Sequence, residues 1–319
     1  MSGKDEIVLA ADIGGSRARL LLAELCTGGW RVRRGAEFAS ADYPDMETLI
    51  GAFVRADERP VAACLAVAGP LAGQRVQMTN LAWALDGARI ARHLGISRVR
   101  LVNDFAAQGA GLACVGADGL CTLCAGQVQA AGVKALIGAG TGLGMAVVAG
   151  GQVLGSEGGH VDFAPRNQEE LALLAALLPF YPRVSLETLL SGAGMTRLYR
   201  FVAGLSPDSP LAHDAATIGA LARDGDVLSC ATLRLFARLL AAAAGNLALT
   251  VLADGGVYLS GGIVPRILPF LRTPEVVDTF HAHPRMAAVL EKIPLYVVTD
   301  EALGLRGAAQ IAAGMARDE

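Results

Sequence analysis

Lysine is nearly missing from this 319-residue chain, which has only Lys4, Lys134 and Lys292. None stands in a G-x-x-x-x-G-K-[ST] loop, so a P-loop nucleotide site is excluded. Aromatic residues are scarce at 5%, and charged residues make up 18% against 53% hydrophobic. That balance excludes a disordered tail or a fibrous repeat, and with this length it predicts globular α/β material in about two domains. An excess of one charge sign is also lacking: 27 Lys plus Arg against 30 Asp plus Glu leave a formal charge of −3. No broad positive field is available to gather nucleic acid or acidic lipid. The chain has no H-E-x-x-H, which leaves Glu157 and His160 as no more than half a metal site, and no G-x-G-x-x-G leads from a strand into a helix, which disfavours a nicotinamide enzyme.

A mean hydropathy of +0.45 raises the membrane question. The longest charge-free stretch, Ala135 to Ser156, carries seven glycines and reads as turns. Leu239 to Ala253 falls short of the roughly 20 residues that cross a bilayer and contains Gly245 and Asn246. It reads as a buried helix running into a strand. Asp5 and Glu6 precede a short apolar run with no small-residue cleavage site behind it, so the expectation is a cytoplasmic protein with no membrane partner. Of the six cysteines, Cys64 and Cys230 sit in apolar runs and read as small core residues. Cys121-Thr-Leu-Cys124 has neither a second CxxC nor a histidine pair to complete a zinc site, so reduced structural thiols are expected.

Along the chain, Ile7 to Ala11, Ala18 to Leu25, Val61 to Ala68 and Val99 to Val102 read as strands, the third ended by Gly69-Pro70. Phe105 to Ala113 reads as a helix. Ala135 to Gly140 and Gly144 to Ala149 repeat the strand, glycine turn, strand pattern of the start, and Val257 to Ser260 ends in Gly261-Gly262 before a helix from Val264. These turns suggest two similar halves. Between them, Gln168 to Leu178, Leu186 to Phe201, interrupted by Gly192 and Gly194, and Asp226 to Ala244 carry helical spacing. His281-Ala-His-Pro284 reads as a polar connection.

Three glycine turns end strands: Asp12-Ile-Gly-Gly-Ser16, Gly138-Ala-Gly-Thr-Gly-Leu-Gly144 and Ser260-Gly-Gly-Ile263. Each alone suits a hairpin, but together they imply backbone that approaches a phosphate closely. Without a P-loop lysine, such a site relies on backbone N–H groups, small hydroxyls and Mg²⁺, and Asp12 at a strand end is placed to hold that ion through water. Asn103-Asp104 puts an amide and a carboxylate at the carboxyl end of a strand, where open α/β sheets hold ligands. The plain alternative is a helix N-cap. In the chemical reading Asp104 accepts a hydroxyl proton during phosphoryl transfer and Asn103 orients that hydroxyl. In Glu157-Gly-Gly-His160 two glycines let an acid and an imidazole face one point, which suits a polyol. Glu187 follows Ser185 with imperfect capping-box spacing and reads, taken alone, as a solvated helix face.

With these residues in hand, the chain resembles the bacterial glucokinases, hexokinase-like sugar kinases of the actin-like ATPase superfamily. The segments that carry the resemblance are Asp12-Ile-Gly-Gly-Ser-Arg-Ala-Arg-Leu20, Met78-Thr-Asn-Leu-Ala-Trp83, Val102-Asn-Asp-Phe105, Gly138 to Gly144, Glu157-Gly-Gly-His-Val-Asp-Phe-Ala-Pro165, Leu190-Ser-Gly-Ala-Gly194 and Gly261-Gly-Ile-Val-Pro-Arg266. The resemblance implies an α/β, two-domain actin-like ATPase (ribonuclease H-like) fold with an interdomain cleft. The small domain would be residues 1–112 plus 301–319 and the large one 113–300. It implies glucose held by Asn103, Asp104, Glu157, His160 and Glu187, with Asp104 as general base. ATP and Mg²⁺ would be gripped by Ala11, Asp12, Ile13, Gly14, Gly15 and Ser16, by Gly140, Thr141 and Gly142, and by Gly261 and Gly262. The implied activity is ATP-dependent phosphorylation of D-glucose to glucose 6-phosphate, feeding glycolysis, in a cytoplasmic homodimer. A non-catalytic sugar sensor, a kinase of another hexose and a chaperone-like ATPase are the rivals.

Two departures stand out. The first turn in such kinases usually reads Gly-Gly-Thr-Asn, whereas this chain has Gly15-Ser16-Arg17. The serine keeps the hydroxyl, and Arg17 either strengthens nucleotide binding or crowds it. The cysteine-rich zinc loop of the related ROK kinases is missing, since His160 is followed by Val-Asp-Phe-Ala, and zinc is not expected.

Overall fold

The computed structural model describes residues 6–69, 71–78, 81–210 and 213–317. Pro70 of the Gly69-Pro70 turn, Thr79 and Asn80 of the Met78–Trp83 segment, and Asp5 lie outside the described residues. Two compact units emerge, Met1–Gly116 with Asp300–Glu319, and Ala117–Thr299.

The first unit opens with an antiparallel meander, β1 (Ile7–Ile13), β2 (Arg17–Cys26) and β3 (Gly29–Ala39). Strand β3 is largely exposed, lacks a clear apolar alternation and was not apparent in the sequence. Helix α1 (Met46–Phe53) leads to β4 (Pro60–Val67), which pairs parallel with β1. A small ribbon of β5 (Arg75–Gln77) and β6 (Ala84–Asp86) precedes α2 (Gly87–Leu94), β7 (Val99–Asn103) and α3 (Asp104–Gly111). The sheet order is β3-β2-β1-β4-β7.

Alternation on β1 and β4 explains how both faces are covered. Leu9, Ala11, Ile13, Leu65 and Val67 pack with Leu49, Ile50, Phe53 and Ile90 of α1 and α2. On the opposite face stand mostly small residues, Ala10, Ala62, Cys64 and Ala66, beside Val8. Burial pushes the Cys64 thiol up to about 12, as suits an inert core residue.

The second unit holds β8 (Leu120–Cys124), β9 (Lys134–Ala139), β10 (Leu143–Ala149) and β11 (Gln152–Ser156), then α4 (Gln168–Leu177), α5 (Leu186–Leu189), α6 (Gly192–Val202), α7 (Ala215–Arg223) and α8 (Val227–Val251). Strand β12 (Gly256–Ser260), the short α9 (Leu268–Leu271), α10 (Pro274–His281), α11 (Ala287–Leu290) and β13 (Leu295–Val298) complete it. Its sheet runs β11-β10-β9-β12-β13-β8. The final helix, α12 (Leu303–Arg317), belongs to the first unit, where Leu305, Ala308, Ala309 and Ala312 cover the small-residue face. An added methyl on Gly307 would run into the Ala107 carbonyl, so glycine there permits the close approach of α12 to α3.

The shared order explains the sequence hint of two halves. In each sheet a three-stranded meander is followed by two parallel strands on the side of its first strand, and β8 extends only the second. Several element boundaries differ from the sequence reading. The single helix expected from Leu186 to Phe201 is two, because Leu190 leaves helical geometry and Ser191 caps a new helix by accepting the Gly194 N–H at 3.0 Å. The helix expected to end at Ala244 continues to Val251, stopping where Leu252 turns to φ +48°. The stretch Leu239–Ala253 therefore does not run into a strand. Among the described residues α8 is the one helix long and apolar enough to cross a membrane, and 67% of its most apolar window is buried inside the protein. Val264 starts a short 3-10 turn and not a long helix, and His281 closes α10, not a loop.

Candidate active site

Register fixes the first constellation. Ile13, Val67 and Asn103 lie side by side at the carboxyl ends of three parallel strands. The first glycine turn, the turn after β4 and the Asn103-Asp104 pair therefore share one edge of the sheet, the edge where such sheets hold ligands. Ala11 and Ile13 are buried, and their side chains belong to the core. Asp12, Gly14, Gly15 and Ser16 are the residues of this segment left outside it. The turn closes as the Gly14 N–H donates to the Arg17 carbonyl at 2.9 Å, and the Ser40 hydroxyl braces the Gly14 carbonyl at 3.3 Å.

Asp12 sits opposite Arg19 on β2. Its carboxylate lies at the start of α12, where a methyl added to Gly304 would come within 3.3 Å of it. Burial pushes the Asp12 carboxyl above the usual carboxylate range, and the nearby Arg19 only partly opposes this. The Arg19 guanidinium is held elsewhere, donating to Glu37 at 2.9 Å and to the Glu301 carbonyl at 2.8 Å. A buried carboxylate without its own hydrogen-bonded cation fits a hydrated Mg²⁺, which takes one or two carboxylates and completes its shell with water and phosphate oxygens. Among the described residues no group of three metal-ligating side chains occurs.

Arg17, the departure in the first turn, is directed to the neighbouring strand. It pairs with Glu37 on β3 at 3.0 Å and is largely exposed. Glu37 thereby collects both arginines, and the Arg19 hydrogen bond, with Arg17 adding to it, holds its carboxyl below the usual range.

Asn103 is the N-cap of α3: its side-chain oxygen accepts the Phe105 N–H at 2.9 Å and the Ala106 N–H at 3.4 Å. The capping reading is therefore realised, and the side-chain NH₂ remains as a donor. Asp104 is the first residue of the same helix, with one carboxylate oxygen accepting the Phe105 N–H at 3.0 Å. An anionic carboxylate at a helix N-terminus is favoured by the local dipole.

The second unit assembles the other residues. Gly138 pairs with Ser260 across parallel β9 and β12, so the second and third glycine turns leave the same sheet edge side by side. Gly261 has φ +90°, and an added methyl would overlap the Ala139 backbone. The Ile263 N–H bonds the Ala139 carbonyl at 3.1 Å, and the Gly192 N–H at the start of α6 bonds the Gly140 carbonyl at 2.9 Å. Gly140, Thr141, Gly142 and Gly262 are thus gathered with the N-terminus of α6, an amide-rich corner suited to phosphate. The Leu190–Gly194 segment supplies this corner, and its Ser-Gly-x-Gly cap is the mark it leaves in the sequence.

Glu157, His160 and Glu187 also come together. Backbone bonds from Leu186 to Val161 at 2.9 Å and from Phe163 to Val184 at 2.9 Å zip the loop to the segment before α5. His160 then lies 3.9 Å from Glu157 through Nε2 and 3.9 Å from Glu187 through Nδ1. Glu187 is not a solvated helix face: its carboxylate accepts the Leu143 N–H at 2.9 Å, while the capping box of α5 is made by Ser185 and Thr188. Glu157 and His160 are exposed. An apolar cavity of about 250 Å³ in this unit takes in Ser156 and Gly158 but none of the three polar side chains. Cys121 and Cys124 lie away from these groups on β8, with Cys124 3.9 Å from His281.

A model of the glucokinase family matches residues 9–315. The chain belongs to the glucokinase family. A glucokinase of Nostoc punctiforme is 38% identical over 337 residues, covering 96% of this chain and 99% of that protein. The crystal structure of a glucokinase from an Antarctic psychrotroph superposes with a TM-score of 0.88 at 32% identity, covering 98% of this chain and all of the other. A glucokinase from Balamuthia mandrillaris in complex with glucose shares the fold, with a TM-score of 0.77 at 23% identity and coverage of 98% and 94%. The fold of this glucokinase-family chain is that of the actin-like ATPases, with mixed sheets and the glycine turns at their carboxyl edges.

Proposed function

We propose that this glucokinase-family enzyme transfers the terminal phosphoryl group of ATP to the 6-hydroxyl of D-glucose, with Asp104 as the base. The observation that carries the reading is Asp104 at the start of α3, on the same sheet edge as the first glycine turn with one strand between them. A carboxylate there accepts the hydroxyl proton as the sugar oxygen attacks, and the NH₂ of Asn103 orients that oxygen. Glu157, His160 and Glu187 supply acceptors and donors for the remaining hydroxyls. Amides of Gly15, Gly142 and Gly262 and the hydroxyls of Ser16 and Thr141 receive the phosphates, in turns whose Gly14 and Gly140 amides are spent on closing the backbone. Asp12 would hold Mg²⁺ through water, and the ion would neutralise charge on the phosphates. Positioning and charge stabilisation account for most of the rate in such a transfer. In the cell the reading is of a cytoplasmic homodimer feeding glycolysis.

The test is glucose-dependent ADP release with ATP and Mg²⁺, comparing wild type with Asp104→Asn. Loss of the base should lower turnover by about 10² to 10⁴ with glucose affinity less affected. Near-normal turnover in the variant removes Asp104 from its role, and glucose binding without turnover in the wild type would instead favour a sugar sensor.

A further inference from the structure

Glu187 rests on the second glycine turn. Its Oε2 accepts the Leu143 N–H at 2.9 Å, and a methyl added to Gly142 would stand only 2.5 Å from that same oxygen. The carboxylate therefore fills the space a side chain at 142 would need. The neighbouring Gly159, in the loop that carries Glu157 and His160, is pressed so closely on the Leu143 carbonyl that a methyl there would overlap it. One residue, Leu143, thus serves both sugar-facing groups, its N–H holding Glu187 and its carbonyl seating the loop. His160 lies 3.9 Å from Glu187, which completes the link.

We propose that Gly142 and the Leu143 amide are positioning elements for glucose recognition, so that the second phosphate turn sets glucose affinity even when no nucleotide is bound. This rests on the reading of Glu187 as a sugar ligand. Gly142 does not have positive φ, so its need for glycine comes from the space given to the carboxylate and not from backbone strain. A turn concerned with phosphate alone would leave glucose binding unchanged when altered in the absence of ATP.

The experiment is calorimetric titration of glucose into nucleotide-free protein. Gly142→Ala should raise the glucose Kd at least about tenfold, because the methyl displaces Glu187 from its donor. Gly140→Ala adds a methyl in the same turn whose nearest neighbour is 3.9 Å away, and it should change the glucose Kd by less than about twofold. Glu187→Asp withdraws the carboxylate by one methylene; it should weaken binding itself, and adding Gly142→Ala to it should cost little more. That comparison carries the test if Gly142→Ala alone does not fold. A wild-type Kd in Gly142→Ala, an equal rise in Gly140→Ala, or fully additive losses in the double variant would overturn the proposal while leaving the kinase reading intact. Wild-type protein that binds no glucose would overturn the reading of Glu187 on which the proposal stands.

Discussion

Glu170 offers a quantitative test of how the Glu157–Pro165 segment is anchored. It is 1% exposed, on the first turn of α4, and its carboxylate accepts the Arg166 N–H at 2.8 Å, Arg166 Nη2 at 2.5 Å and Nε at 3.2 Å, and the Asn167 NH₂ at 3.2 Å. Arg166 directly follows the Glu157–Pro165 segment. Glu170→Ala removes the acceptor for all of these donors and leaves a cation beside a new void. Breaking a buried ion pair from one side costs about 3 to 5 kcal/mol. Arg166 retains 31% side-chain exposure and partly rehydrates, which puts the cost near the lower end, about 3 kcal/mol. For a unit the size of Ala117–Thr299, each kcal/mol moves the midpoint by about 2 to 4 °C. The expected fall is about 6 to 12 °C in ligand-free thermal unfolding followed by circular dichroism. Glu170→Gln keeps one acceptor and should fall between the two. A loss below about 2 °C for the alanine variant would refute the reasoning, since it would mean that water replaces the carboxylate at little cost.

Asp12→Asn should stabilise the metal-free protein at neutral pH while lowering turnover sharply. Burial raises the folded-state pKa of Asp12, so its charged form destabilises the fold above that pKa and costs nothing below the unfolded value of 3.8. The stability gain of the variant should therefore grow as the pH rises above 3.8 and vanish below it; a variant less stable than wild type at pH 7 would contradict this. Gly261→Ala combines a φ of +90° with overlap on the Ala139 backbone, and a loss of at least about 2 kcal/mol in urea unfolding is expected. An unchanged urea midpoint would show that the third turn can relax.

Much of the site was legible because its chemistry lies in short contiguous runs. Asn103-Asp104 and Glu157-Gly-Gly-His160 each sit within one turn of chain, and the strands that position them are short apolar runs bounded by glycine. Glu187 was different. Nothing in its own helix distinguishes it from a solvated acid, because its partner is a backbone N–H 44 residues earlier, and a main-chain donor leaves no mark on sequence. Strand β3 escaped for a related reason: on an edge with both faces largely exposed it has no alternation to read. The break at Leu190 was missed because Gly192 and Gly194 looked like interruptions within one helix, when Ser191 was in fact beginning another.

Glycine itself is where sequence and structure part most usefully. Read along the chain, the three turns are alike, each a place where backbone comes close to phosphate. In the fold their glycines answer to different demands. Gly261 is required by its positive φ and by the Ala139 backbone pressed against it. Gly142 has no positive φ but must leave space for the Glu187 carboxylate. Gly262 and Gly140 face one another across adjacent strands with room to spare, so neither conformation nor internal packing demands glycine there. What remains for those two is access from outside. In the proposed function, a phosphate that approaches the bare backbone of Gly140 and Gly262 would lie against the same turn that seats Glu187, so the two substrates would share one piece of main chain without sharing a side chain.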